Sequence, residues 1–202
     1  MAAGSALILA GGRGARIGYD KKKLELDGDG ETVIAVLITK LRTLFPEVLV
    51  SSNTPFVHDH IVVLPDKLGT GPLAGIYQGL RYCHSAYLYV VACDMPFISL
   101  EYIRYMQEVM RQKPVDACVA RRDDGLYEPF NSFFNKSCIT PMYEALVRHE
   151  YKISTLLDRL RLHIIDLATM QAFNQEDMFF NINAPADLDR AKRKVQSRAL
   201  GR

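Results

Sequence analysis

The chain has 202 residues, and 25 lysines and arginines against 23 acids give a formal net charge of +2. Nearly half of it is apolar, which argues against disorder, and a total so close to neutral argues against a nucleic-acid binder, which carries a strongly basic balance. No stretch reaches the roughly 18 consecutive apolar residues of a membrane span, and no basic region precedes the short run Ala6–Ala10, so one globular domain over residues 1–202, with no secretory signal, no membrane contact and no nucleic-acid partner, is expected.

Along the chain, β-branched apolar runs bounded by turn residues predict buried strands at Ala6–Ala10, Val48–Ser51, Ile61–Leu64, Tyr87–Cys93 and Ala117–Ala120. Stretches with apolar residues at helical spacing lie between and after them, at Thr32–Leu44, Ala74–Cys83, Leu100–Gln112, Cys138–Arg148 and Ser154–Leu160. Strands alternating with helices imply βαβ units, hence an α/β, Rossmann-like three-layer fold with a mostly parallel sheet. Arg122–Phe134 differs, because Asp123-Asp124-Gly125 is a turn and the aromatic run after it reads as a returning strand. Pro185 and Asp187 are helix-start signals for a basic C-terminal helix or tail over about residues 186–202. Cys83, Cys93, Cys118 and Cys138 form no C-x-x-C pair and read as reduced thiols of a cytoplasmic protein.

The first strand runs into Gly11-Gly12-Arg13-Gly14-Ala15-Arg16-Ile17-Gly18-Tyr19-Asp20-Lys21. Glycines let backbone N–H groups approach an anion, and Arg13, Arg16 and Lys21 add positive charge, so the loop reads as a phosphate site at the carboxyl edge of the sheet. It fits neither common phosphate motif. A Walker loop started at Gly12 and a dinucleotide fingerprint started there both fail at Ile17, where each needs glycine. A second candidate is Asp94, at the end of the strand Tyr87–Cys93 and before the ladder-breaking Pro96. A carboxylate there suits Mg²⁺, which takes one or two carboxylates plus phosphate oxygens and water. Ser99, ahead of Leu100 and Glu101, is the better helix cap, which leaves Asp94 available for that role. Asp66 alone reads as a turn residue after Pro65. His58-Asp59-His60 lacks a third ligand nearby for a transition metal, and no G-x-S-x-G supports a serine hydrolase.

The segments Leu9-Ala10-Gly11-Gly12, Arg16-Ile17-Gly18 and Asp20-Lys21 together resemble the nucleotidyltransferase pattern L-A-G-G-x-x-x-R-M-G-x-D-K, with Ile17 in place of Met. Gly71-Pro72-Leu73-Ala74-Gly75, Cys93-Asp94-Met95-Pro96, Glu128-Pro129 and Asn181-Ile182-Asn183-Ala184-Pro185-Ala186-Asp187-Leu188 follow in the order found in the molybdenum cofactor guanylyltransferase (MobA) family, which the chain resembles over nearly its whole length. The resemblance implies a nucleotidyltransferase that moves GMP from GTP to the terminal phosphate of molybdopterin or Mo-molybdopterin and releases pyrophosphate. It implies Mg²⁺ at Asp94, with Arg16 and Lys21 stabilising charge on the phosphates. Leu9, Ala10, Gly11 and Gly12 would cradle the nucleotide, with Asp66, Gly71 and either Ser51 or Asn53 holding the nucleoside. In that reading Gly69, Gly71 and Gly75 form a flexible backbone wall for the base or ribose, and Glu128, Asn181 and Asn183 line the pterin side. Cofactor-delivery proteins and molybdoenzymes would be its further partners. A related cytidylyltransferase, a sugar-phosphate nucleotidyltransferase and a non-catalytic nucleotide-binding adaptor are the alternatives. The charge divides unevenly, since residues 190–202 hold six basic residues and no acid and leave the rest at −4. Such a tail reads as a solvated face, and attraction of small anions must come from local charge at Arg13, Arg16, Lys21 and Mg²⁺.

Overall fold

The computed structural model describes residues 4–11, 23–26, 30–58, 61–65, 68, 71–167, 173 and 175–200. Their strands are β1 (Ser5–Leu9), β2 (Glu47–Ser51), β3 (Val62–Leu64), β4 (Tyr87–Ala92), β5 (Ala117–Arg121), β6 (Tyr127–Asn135) and β7 (Leu162–Asp166). The helices are α1 (Val33–Arg42), α2 (Pro72–Tyr82), α3 (Leu100–Gln112), α4 (Ile139–Val147), α5 (Ile153–Leu157), α6 (Gln175–Met178) and α7 (Pro185–Leu200). The strands form one seven-stranded sheet in the order β3-β2-β1-β4-β6-β5-β7. Among these seven strands only β6 opposes its neighbours; the other pairings between them are parallel.

Strand alternation divides the core in two. Ala6 and Ile8 of β1, Val48 and Val50 of β2, and Tyr89 and Val91 of β4 face one layer, where α1, α3 and α7 pack. Leu7, Leu9, Leu49, Leu88 and Val90 face the other, against α2, α4 and α5. Successive side chains point to opposite faces, so an almost unbroken apolar run serves both layers at once. On α1, Val33, Ile34, Leu37, Ile38 and Leu41 are buried, and each contributes roughly 1.5–3 kcal/mol by leaving water. Thr32 caps α1 by accepting from the Ala35 N–H at 3.3 Å, and Ser99 caps α3 by accepting from the Tyr102 N–H at 3.1 Å.

The expected strands and helices are present with ends shifted by at most three residues, as fraying ends commonly are. The turn at Arg122–Gly125, with Gly125 at φ 81°, returns β5 into the antiparallel β6 as its sequence suggested. Strand β7 and the short helix α6 were not expected. The run Leu162-His163-Ile164-Ile165 is brief and its strand half-buried, so it lacks the continuous apolar signal of the central strands. It is held instead by Asp116 at the head of β5, which accepts from the Arg161 guanidinium at 2.8 and 3.1 Å and from the Arg161 N–H at 3.0 Å. Those bonds hold the Asp116 carboxyl down at about 2.

Candidate functional site

The sheet order reverses direction at β1. The chain moves outward through β2 and β3, then α2 carries it back across the opposite face to β4 on the other side of β1. Such a reversal opens a crevice at the carboxyl ends of the strands, where ligands bind in open α/β sheets. A cavity of about 340 Å³ lies there. Leu9 and Gly11 line it from the end of β1, and Ala92, Cys93 and Asp94 from the end of β4. Pro72 lines it from the start of α2, Glu128 and Phe130 from β6, and Asn181 and Asn183 from the segment before α7.

Asp94 stands in a turn that both neighbouring walls hold. The Cys93 N–H donates to the Leu9 carbonyl at 3.0 Å, extending the β1–β4 ladder to the cavity floor. The Met95 N–H donates to the Ala92 carbonyl at 3.1 Å and closes the turn. The Asp94 carbonyl accepts from the Ile182 N–H at 3.0 Å, which brings the distant Asn181–Asn183 segment to this edge. Asp94 is only 7% exposed although it lines the cavity. A carboxylate so enclosed needs a cation or hydrogen-bond donors when it is charged.

Glu128 reaches the cavity because β6 is bulged. Between Cys118 and Ala120 of β5, the partner residue on β6 jumps from Phe133 to Glu128. The surplus residues leave the ladder, and β6 pairs with β4 only as far as Val90–Ser132. Beyond that point the two strands part, and Glu128 and Phe130 line the gap. Bulges of this kind redirect side chains near sites. Burial raises the Glu128 carboxyl above its usual range; Arg122, 4.0 Å away, and the Phe130 N–H oppose that rise, while the nearby Asp94 adds to it.

The third wall is fixed from both ends. From the first turn of α7, Asp187 reaches back to accept from the Asn183 and Ala184 N–H groups at 3.0 and 2.9 Å, as the acid of a capping box does. Asn181 donates from its amide to the Phe179 carbonyl at 3.1 Å. Arg190 of α7 lies 4.6 Å over the Phe180 ring, and Lys194 pairs with Glu176 at 3.1 Å and Asp177 at 2.5 Å. Part of the basic charge of this helix therefore serves an internal contact rather than a solvated face.

Of the residues singled out from sequence, Leu9, Gly11, Asp94, Glu128, Asn181 and Asn183 meet at this one cavity. Ala10 and Ser51 are buried outside its lining, and Asn53 is exposed past the end of β2. Gly71, at φ 83°, starts α2 beside Pro72. Gly75 is no flexible wall. It sits within α2, where a Cβ would come within 2.7 Å of both Leu9 Cδ2 and Ser51 Oγ, so it serves close packing of helix on sheet. Gly12, Arg13, Arg16, Lys21, Asp66, Gly69, Asp59 and His60 lie outside the described residues. Phe130 was missed as a lining residue. It sits in an aromatic strand run, and nothing local marks it as lying at a bulge.

The sequence model of the MobA-like NTP transferase domain matches residues 6–164. A molybdenum cofactor guanylyltransferase of Syntrophotalea carbinolica is 34% identical over 195 residues, covering 95% of this chain and 91% of its own. The crystal structure of molybdopterin-guanine dinucleotide biosynthesis protein A from Archaeoglobus fulgidus superposes with a TM-score of 0.82 at 25% identity, covering 96% of this chain and 99% of that one. A 2-C-methyl-D-erythritol 4-phosphate cytidylyltransferase from Thermus thermophilus shares the fold, with a TM-score of 0.68 at 17% identity over 97% of this chain and all of its own. With the cavity at the sheet's reversal point and the nucleotidyltransferase segments around it, the chain belongs to the MobA-like NTP transferase family.

Proposed function

We propose that this chain transfers GMP from GTP to the terminal phosphate of molybdopterin or Mo-molybdopterin. A phosphate oxygen of the acceptor forms a bond to the α-phosphorus of GTP. The bond from that phosphorus to the bridging oxygen breaks, and pyrophosphate leaves with the electron pair. The observation that carries this reading is the meeting of Asp94 with the Gly11 end of β1 and with Glu128, Asn181 and Asn183 at one cavity. The name carried by the Syntrophotalea relative supports the same reaction.

The division of labour follows from charge. Leu9, Ala10 and the backbone at Gly11 and Gly12 hold the nucleotide from the β1 side, with Gly71 at the start of α2. Arg16 and Lys21 neutralise the transferring and leaving phosphates, where positioning and charge stabilisation do most of the catalytic work. Asp66 and the residues after β2 hold the nucleoside. Of Ser51 and Asn53, the exposed Asn53 is the better placed to reach it, because Ser51 is packed beneath Gly75. Glu128, Asn181 and Asn183 face the acceptor.

An enclosed oxygen donor at Asp94 fits Mg²⁺. No group of three His, Cys, Asp or Glu side chains among the described residues is arranged for a metal ion, and an ion shared with a triphosphate needs only one or two carboxylates. Bound at Asp94, Mg²⁺ supplies charge neutralisation to the phosphate oxygens. A cytoplasmic setting is part of the proposal. It is supported by four buried cysteines, none of them in a disulfide. Among the described residues no helix is long and apolar enough to cross a membrane. The further partners are the proteins that deliver the cofactor and the molybdoenzymes that receive it.

Incubating the protein with GTP, Mg²⁺ and molybdopterin should yield the guanine dinucleotide and pyrophosphate. Product from CTP and none from GTP would move the assignment to a cytidylyltransferase. GTP binding without turnover on any acceptor, sugar phosphates included, would favour an adaptor. Asp94→Asn should lower kcat by about 10²–10³-fold, the scale of losing one electrostatic stabiliser.

A further inference from the structure

Asn131 lies in the β6 bulge, three residues after Glu128, and is completely buried. Its φ is 61°, in the left-handed region that non-glycine residues seldom occupy and asparagine tolerates best. Both ends of its side chain are engaged. Its Oδ1 accepts from the Tyr89 hydroxyl of β4 at 2.6 Å, and its Nδ2 donates to the Met178 carbonyl at the end of α6 at 3.2 Å. A second bond closes the bulge, as the Ser132 hydroxyl donates to the Glu128 carbonyl at 2.9 Å. One amide therefore joins three pieces of chain: the central strand β4, the bulge that carries Glu128 and Phe130, and the segment that continues to Asn181 and Asn183.

We propose that Asn131 is a positioning residue for the acceptor half of the site. It does not line the cavity. It fixes the Glu128 wall and the Asn181–Asn183 wall relative to each other and to the sheet. The nucleotide half, built on Leu9 and Gly11, is tied to β2 and β4 by ladder bonds that do not pass through Asn131. Loss of its side chain should therefore act on one half of the site. The choice of asparagine follows from two demands together. An amide offers an acceptor to Tyr89 and a donor to Met178 from one planar group, and asparagine is among the side chains that accept a left-handed backbone most readily.

The assignment of the acceptor rests on the proposed guanylyl transfer, so the test has one readout that does not. Asn131→Gly keeps the left-handed backbone at little cost and removes the whole side chain, the bridge with it. Tyr89→Phe leaves Asn131 in place and removes one bond. In the ligand-free protein, hydrogen exchange of Asn131→Gly should rise at residues 128–130 and 179–183 while β1 and β2 keep their protection. In the transfer assay its KM for molybdopterin should rise about tenfold, the effect of losing one or two buried hydrogen bonds, with the Kd for GTP within about twofold of the unaltered protein, less than a hydrogen bond's worth. Tyr89→Phe should show a smaller change in the same direction. Exchange unchanged at either segment, or a lowered Tm with acceptor KM unaltered, overturns the proposal. If the unaltered protein transfers no guanylyl group, the functional reading falls, and the exchange result still decides the role of Asn131.

Discussion

Asp94 and Glu128 are both enclosed carboxylates, and enclosure has a price in stability that can be measured at Glu128. Burial lifts its carboxyl above the usual range, so the folded state prefers the proton more than the unfolded chain does. In acid, both states hold the proton and no penalty arises. As pH rises through the folded-state value, the native protein alone must keep a charge in poor solvent, and stability is lost. Glu128→Gln should therefore raise Tm at pH 7 and change it little at pH 4, while transfer activity falls. An unchanged Tm at pH 7 would show that Arg122 and the Phe130 N–H fully offset the burial. At this scale the sequence was most legible where chemistry and chain position coincide. Asp94 follows a strand and precedes a proline, and its cavity position follows. Asn131 gave no such signal, because one asparagine in an aromatic run says nothing of a backbone at positive φ.

Helix α2 shows how an element's seat depends on what its residues lack. Gly75 and Gly79 have no Cβ, and one added at either would lie 2.7 Å from a leucine side-chain atom of β1. The helix thereby approaches the β1–β2 floor closely, which puts Pro72 at the cavity. Gly75→Ala should cost about 1–3 kcal/mol, as overpacking of a tight core does, and should raise the KM for GTP through displacement of Leu9. Gly71→Ala meets open space but forces a side chain onto a backbone at φ 83° and ψ −174°, a conformation all but reserved for glycine, so it too should cost about 1–3 kcal/mol. Urea unfolding of the two variants compares overpacking with backbone strain. The glycines themselves were visible in the sequence. Their separate uses were not, because a packing glycine and a turn glycine look alike until the neighbouring strand is known. Strand β7 was illegible for a related reason: its place at the sheet edge depends on Asp116 and Arg161, far apart in the chain.

For the molecule as a whole, the near-neutral charge conceals an internal use of the basic end. Lys194 bridges to α6 and Arg190 covers Phe180, so α7 secures the wall that carries Asn181 and Asn183. Lys194→Ala should lower stability by about 1 kcal/mol, because it leaves the buried Asp177 short of a donor. Lys192→Ala, a change at a residue without such a role, should stay within about 0.5 kcal/mol in the same thermal unfolding measurement. The alternating strands and helices made the three-layer sheet readable from the chain, and the turn at Asp123–Gly125 disclosed the single reversed strand. What no local pattern could disclose is the bond from Ile182 to Asp94, which joins residues far apart in sequence. That bond has a consequence for how the protein comes into being. A nascent chain can assemble β1 to β4 while the ribosome still holds the residues after β6, but the cavity gains its third wall only after residue 183 has emerged. Productive binding of both substrates should thus be acquired later in synthesis than the first four strands, and a product cut short before residue 181 would retain much of the sheet without a complete site.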